Sequence, residues 1–463
     1  MKGTRLKVFF TLLFPLVLAG SPQAYAQLTP LDDANPAIIR RMYDEALLRP
    51  HGYYWLEHLC KKIGHRLSGS PQAAQAVEFT KAVMDTLGLD RVYLQEVMVP
   101  HWVRGEASVE VVGGPSFKTL ALGNSVGTGG QPITAEVVEV KSFEELSVEK
   151  VSGKIVFYNY AFDQRFIETG TGYGDAVKYR VNGAAEAAKM GAVAVVIRSV
   201  STANDDEPHT GTTRYQEGIR PIAALAIGNT SADQLTGMLR KNPRLKLKVY
   251  SEAEMLPDVR SYNVIGEIRG STYPDEIIVV GGHLDSWDVG EGAHDDGAGC
   301  VQSIEVLRLF KALDLRPKRT IRAVMFMNEE NGLRGGQKYA QEAAQKNEKH
   351  IAAIESDAGG FTPRGFTVDN GEQAVAAMQA WLPLLQPYSI DNIRVGGGGA
   401  DISPLRPQGT VLIGFRPDSQ RYFDYHHTHI DTFDKVNQRE LQLGAAAMAA
   451  LTYLLSEYGV PTL

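Results

Sequence analysis

Residues 281–299, GGHLDSWDVGEGAHDDGAG, set five acids and two histidines among glycines. The stretch follows EIIVV, an apolar β-branched run that reads as a buried strand. It precedes CVQSIEVLRLF, whose apolar residues recur at helical spacing. Three more such stretches lie downstream. FMNEENG ends a second apolar run with Glu329 and Glu330, ESDAGG ends a third with Glu355 and Asp357, and YHHTHIDTF carries His426, His427, His429 and Asp431.

Carboxylates gathered in one crevice repel one another unless a cation neutralises them. A carboxylate cluster with imidazoles suits zinc, which takes nitrogen and oxygen ligands and, at catalytic sites, leaves a position to water. Two adjacent glutamates are useful there: neighbours in extended chain point in opposite directions, so one can ligate while the other faces a substrate. Taken singly, each feature has an ordinary explanation. An Asp-Asp pair is usually a turn or a helix cap, a role that suits Asp296, a Glu-Glu pair is usually solvated, and a lone histidine is usually structural. Acids and imidazoles recurring in order at successive strand ends argue instead for a metal centre, with His283, Asp285, Asp295 and Asp296 in its first segment.

The elements that must position these residues alternate. After SYNVIGEIRG, strands EIIVVGGH, TIRAVMFMN, HIAAIESD and TVLIGF interleave with helices over 300–313, 335–345, 374–385 and 440–457. Such alternation predicts an α/β fold with a mixed, largely parallel sheet flanked by helices, whose sites form at the carboxyl ends of the strands. Residues 34–89 read as helices, and RVYLQEVMVPHW and ASVEVVGG as strands. From about 126 to 252 the texture changes to short strands such as GKIVFYN, VAVVIRS and PIAALAIG around a small-residue helix over 183–192.

The 463 residues suffice for two domains, and a formal net charge of -7 offers no basic footprint for nucleic acid. Lys2, Arg5 and Lys7 precede an apolar run over 8–19 and a small-residue site at 24–26, the pattern of a secretory signal peptide. The mature chain is expected to begin near Gln27, exported to the periplasm or medium, with no membrane span after signal removal. Only Cys60 and Cys300 are present, too few for a disulfide framework, and both read as free thiols.

On GGHLDSWDVG, ESDAGG, LRPKRT and HHTHIDT the chain resembles the M28 family of zinc exopeptidases, with GAVAVVIRSV…HTG supporting the likeness in the middle segment. The resemblance implies a peptidase domain (27–125 and 253–463) interrupted by a protease-associated insert (126–252). It also implies two zinc ions, His283 and Asp357 on one, Glu330 and His427 on the other, with Asp295 bridging both. Glu329 matches the general base, and Asp285 the carboxylate that orients the first histidine. His427 is chosen because HTHIDT is the only register that fits the family pattern His-Ser/Thr-x-x-Asp/Glu-Thr. His426 and Asp401, the latter in the glycine-rich loop 396–402, are implied substrate contacts, while His294 is left as a neighbour. The implied activity is hydrolysis of short peptides, foremost dipeptides with free termini; an aminopeptidase acting on longer peptides is the alternative, and a homodimer is implied by the likeness alone. A scaffold that had lost catalysis would show gaps among the ligands, and none is missing. Cyclisation of glutaminyl peptides by a single zinc fits poorly with a full two-metal set.

Overall fold

The computed structural model describes Gly3 and residues 32–369 and 372–460. The expected signal peptide lies outside the described residues apart from Gly3. Helices Asn35–Leu48, His51–His58 and Pro71–Asp85 come first, then strand β1 (Arg91–Val103). Eight short strands follow: β2 (Ala107–Val111), β3 (Ser116–Phe117), β4 (Thr119–Ala121), β5 (Ile133–Val140), β6 (Ile155–Tyr158), β7 (Ala194–Arg198), β8 (Ala223–Ile227) and β9 (Lys246–Ser251). The chain then runs through β10 (Glu254–Ile268), β11 (Tyr273–His283), β12 (Arg319–Phe326), β13 (Lys349–Glu355), β14 (Pro363–Val368), β15 (Asn392–Val395) and β16 (Val411–Pro417).

Two sheets result. The first is ordered β1-β10-β12-β11-β13-β16-β14-β15, with the central neighbours β12, β11, β13 and β16 all parallel. Antiparallel pairs join β1 to β10, β10 to β12 and β14 to β16, so the sheet is mixed around a parallel centre, as expected. The second is ordered β3-β2-β9-β5-β6-β7-β8-β4, parallel from β5 to β8. Strands β2 to β4, read from sequence with the N-terminal part, hydrogen-bond into this second sheet. Both sheets lie in one compact unit, Asp32–Leu463.

The period of two in each strand explains why helices cover both faces. In β11, Ile278 and Val280 join the core under helices Asn35–Leu48, Ala298–Ala312 and Gln438–Tyr458, whereas Ile277 and Val279 pack with Tyr339 and Ala343 of helix Arg334–Gln345. All four are buried, so the run is apolar on both sides, as a central parallel strand requires. Helix Ala298–Ala312 is buried through Phe310, enclosed by the sheet and by helix Gln438–Tyr458. The helix expected over 374–385 is two pieces, Glu372–Gln379 and Leu382–Leu385, the second with Pro383 in its first turn. The helix expected over 183–192 is Thr169–Lys189, starting well upstream through Gly170, Gly172 and Gly174.

β11 can deliver His283 only because two glycines precede it. A Cβ on Gly282 would lie 2.4 Å from Asp296 Oδ2, 2.8 Å from the Gly299 carbonyl carbon and 2.9 Å from the Cys300 nitrogen. The start of the buried helix therefore presses directly on the strand end. Gly282→Ala is expected to destabilise the fold by about 1–3 kcal/mol, the usual consequence of overpacking against backbone. Urea unfolding checks this; an unchanged midpoint would show that the contact is not limiting.

Candidate metal centre

The carboxyl ends of β11, β12 and β13 bring the expected residues together. Asp295 lies between two imidazoles: its Oδ1 is 3.2 Å from His283 Nε2 and its Oδ2 is 3.2 Å from His427 Nε2. Each imidazole also meets a second carboxylate, Asp357 Oδ1 at 3.6 Å from His283 Nε2 and Glu330 Oε2 at 3.1 Å from His427 Nε2. Donor atoms of His283, Asp295 and Glu330 fall within 4.8 Å of one another, as do those of Asp295, His426 and His427. A cavity of about 320 Å³ opens on this cluster, lined among others by Asp295, Glu329, Glu330, Asp357, His426 and His427.

Both central imidazoles present Nε2 to the acids because a backbone carbonyl holds the other nitrogen. His283 Nδ1 is 2.9 Å from the Asp285 carbonyl and His427 Nδ1 is 3.2 Å from the Thr210 carbonyl. Each Nδ1 carries a proton as donor, leaving the Nε2 lone pair for a cation. The Thr210 amide also donates to the His427 carbonyl at 3.0 Å, bracketing a residue held at φ 65°. Burial, joined by the Arg180 charge, keeps His427 below its ordinary pKa despite Asp295. Burial acts in the same sense on His283, but contacts with Asp295 and Asp357 outweigh it and raise its pKa well above the usual imidazole value. Burial, reinforced by Asp357, Glu330 and Asp295, pushes Glu329 well above the carboxyl range. The group as a whole attracts positive charge.

The fit to zinc follows from the donor set, two nitrogens and at least three carboxylates, and from Asp295 Oδ2, a buried atom with no hydrogen-bond partner among the described residues. Asp296 also lies near His283 and Asp357, yet its two oxygens are taken by amides: the His283 N–H at 3.0 Å and, in the first turn of helix Ala298–Ala312, the Gly299 N–H at 2.9 Å. That is the capping role expected of it. Asp431 accepts the amides of His294 and Asp295 at 2.8 and 3.1 Å, and burial pushes its carboxyl up to about 7.

Asp285 departs from expectation. Its carboxylate stands 4.0 Å from His283 Nδ1, and its carbonyl, not its side chain, orients the ring. The side chain instead accepts the amides of Asn328, Glu329 and Glu330 at 2.7, 3.1 and 3.3 Å. One buried carboxylate thus clamps the turn that carries both glutamates, and three amide donors leave it no reason to turn to the ring. Asp401 also departs. It is 1% exposed with neither oxygen hydrogen-bonded, and it does not line the cavity. Glu355 accepts the Ala400 and Ile402 amides at 2.8 and 2.9 Å, a clamp that buries the residue between them. Burial and the charges of Glu355 and Glu329 push the Asp401 carboxyl well up.

His426 lines the cavity with its ring stacked on His427 at 3.4 Å, and its Nε2 is 3.7 Å from Asp295 Oδ2. His429 is exposed and outside the cavity lining. His294 is structural: Nδ1 accepts the Gly360 amide and the ring stacks on Phe361 at 4.1 Å. Cys60 and Cys300 are buried free thiols. Sequence reasoning missed the share of the cavity contributed by the lobe built on the second sheet, Tyr173, Arg180, Thr212 and Arg214, as well as Tyr422, whose hydroxyl donates to Asp357 at 3.3 Å. The only signal for Tyr173 and Arg180 is their spacing of seven on one helix.

Asp285→Asn keeps an acceptor but removes the charge shared by three buried amides. The variant is expected to lose about 1–3 kcal/mol of stability and to exchange the amide hydrogens of residues 328–330 faster than the parent. Hydrogen exchange followed site by site checks this; unchanged protection at those amides would leave the clamp without effect.

The model of peptidase family M28 matches residues 263–452. Carboxypeptidase Q from Homo sapiens is 38% identical over 430 residues, 92% of this chain and 89% of that protein, and the Bos taurus protein is 37% identical over 430 residues. The crystal structure of a peptidase M28 precursor from Shewanella amazonensis SB2B superposes with a TM-score of 0.88 at 35% identity, covering 92% of this chain and 97% of that one. The zinc aminopeptidase BSAP from Bacillus subtilis shares the fold, with a TM-score of 0.65 at 20% identity over 88% of this chain and 94% of its own. With its cluster of strand-end acids and histidines, the chain is a member of peptidase family M28, the zinc metallopeptidase family that its sequence resembles.

Proposed function

We propose that this chain is an exported dizinc exopeptidase that hydrolyses short peptides, foremost dipeptides with free termini. The observation that carries the reading is Asp295, held 3.2 Å from each of two imidazoles that each have a further carboxylate of their own. In this reading His283 and Asp357 would hold one zinc, His427 and Glu330 the other, and Asp295 would be available to both. Export rests on the pattern of residues 1–26, and the protease-associated insert corresponds to the lobe built on β2 to β9.

Zinc at these residues supplies Lewis acidity to the scissile carbonyl and lowers the pKa of water. Glu329 is the general base. It lines the cavity half-buried, its side chain makes no hydrogen bond among the described residues, and its neighbour Glu330 is turned to His427. It takes the proton of the attacking water and returns it to the leaving amine. The Asp285 clamp sets the backbone from which the two glutamates diverge, and Thr210 fixes His427. His426 forms part of the substrate wall, while Asp401, off the cavity, takes no part in holding the substrate. A cavity of about 320 Å³ roofed by the second lobe supports a small substrate.

Purified enzyme is expected to cleave unblocked dipeptides far faster than N-acetylated ones or casein, and Glu329→Gln to keep its zinc while losing about 10²- to 10⁴-fold in kcat. Efficient internal cleavage of casein would refute the exopeptidase reading, and near-parental kcat in Glu329→Gln would remove the base.

The histidines are separable. His427→Ala is expected to lose zinc and activity, whereas His426→Ala and His429→Ala retain both metals. Zinc analysis of the three proteins decides; full occupancy in His427→Ala with loss in His426→Ala would move the ligand by one residue.

A further inference from the structure

Arg180 projects from helix Thr169–Lys189 of the second lobe into the wall of the cavity beside the metal cluster. Its side chain is buried, 6% exposed, and a guanidinium cannot shed its charge. A buried cation ordinarily has an anion against it. Arg180 has none: no carboxylate forms an ion pair with it among the described residues. Its one firm hydrogen bond runs from Nη2 to the Tyr173 hydroxyl at 2.7 Å. Nη1 is 3.5 Å from the Thr210 carbonyl and 3.4 Å from His427 Nδ1, which is itself committed as a donor to Thr210, and Nε is buried without a partner. Of the carboxylates that share the cavity, Asp295, Glu330 and Asp357 face the histidines instead. Asp295 and Glu330 meet His427 Nε2, on the far side of the same ring from Arg180.

We propose that Arg180 is the receptor for the free α-carboxylate of the substrate, and so determines that the enzyme removes a single C-terminal residue. Because the guanidinium touches the ring of His427, an anion held there lies close to the cluster. One residue spans about 3.8 Å between Cα atoms, so only one residue fits between that carboxylate and the scissile bond. On a dipeptide this places the sole peptide bond at the reacting centre. On a longer peptide it selects the last bond, which distinguishes the enzyme from one that reads the N-terminus. Tyr173, hydrogen-bonded to Nη2, holds the guanidinium plane, and Arg214 adds a second positive charge to the same cavity. The site belongs to the second lobe, so the insert supplies specificity as well as cover.

The inference rests on the peptidase reading above, and one set of kinetics separates the two. The parent enzyme is assayed on Ala-Phe and on Ala-Phe amide, which differ only in the charge of the C-terminal group. The expected preference for the acid is about a hundredfold in kcat/KM, the scale set by a buried charge left unpaired. Arg180→Met and Arg180→Lys are then compared, with zinc measured in both. The methionine variant is expected to retain zinc and to bring the acid-to-amide ratio within threefold of one, mainly through a raised KM for the acid. The lysine variant is expected to keep part of the preference. Equal cleavage of acid and amide by the parent, which needs no variant to fold, would overturn the assignment while leaving the dizinc peptidase intact. So would an unchanged ratio in Arg180→Met. Failure of the parent to cleave either compound would bring down the peptidase reading and this inference with it.

Discussion

Everything at this site depends on holding like charges together at the ends of buried strands. Asp295, Glu329, Glu330 and Asp357 share one cavity, and burial raises the free energy of each charge. Four nearby acids are committed to backbone amides rather than to the cavity's histidines. Asp285, Asp296, Glu355 and Asp431 bind two or three amides each; Asp285 and Asp431 thereby hold the backbone that carries Glu329, Glu330 and Asp295, while Asp296 holds the strand end at His283 and Glu355 the loop around Asp401. The acid-rich sequence therefore builds two things at once: a cluster that attracts cations, and a frame of carboxylate–amide bonds that prevents the cluster from relaxing apart.

The second lobe is part of that frame. Its Thr210 grips the backbone and ring of His427, and Arg104 of the peptidase lobe ties Asp288 to Thr210 and to the Ala121 carbonyl across the boundary. Arg180 and Tyr173 extend the lobe into the cavity wall. A lobe attached in this way sets one histidine of the cluster and part of the cavity wall, so its motion relative to the first sheet is constrained by the same bonds that shape the site.

Much of this was legible in the sequence, for identifiable reasons. The strand-helix alternation from β10 onward, the strand ends at His283 and Glu355 and the gathering of acids and histidines there follow from apolar periodicity and from charge placed where a strand stops. The choice of Asp295, Glu330 and His427 among their neighbours came instead from the likeness to the M28 family. The helix Thr169–Lys189 was not legible upstream of 183, because TGTGYG reads as a loop and only packing makes it helical. With it went Tyr173 and Arg180, which no local pattern links to the acids some 110 residues later. Asp285 was assigned to the ring of His283 by the likeness to the M28 family, which places an orienting carboxylate at that position. The competing amides of residues 328–330 come from a neighbouring strand, and sequence spacing carries no trace of them. Asp401 was read as facing substrate from its glycine-rich loop, whereas Glu355, pinning the amides on either side, buries it.

The central proposal is that Asp295 would be shared by two zinc ions. Anomalous diffraction at the zinc edge from crystals of the zinc-loaded protein tests it directly. The account predicts two peaks, both in contact with the Asp295 carboxylate, one also with His283 and Asp357 and the other with His427 and Glu330. A single peak, or a second one held by His426 or Asp296 in place of His427 and Glu330, would contradict it.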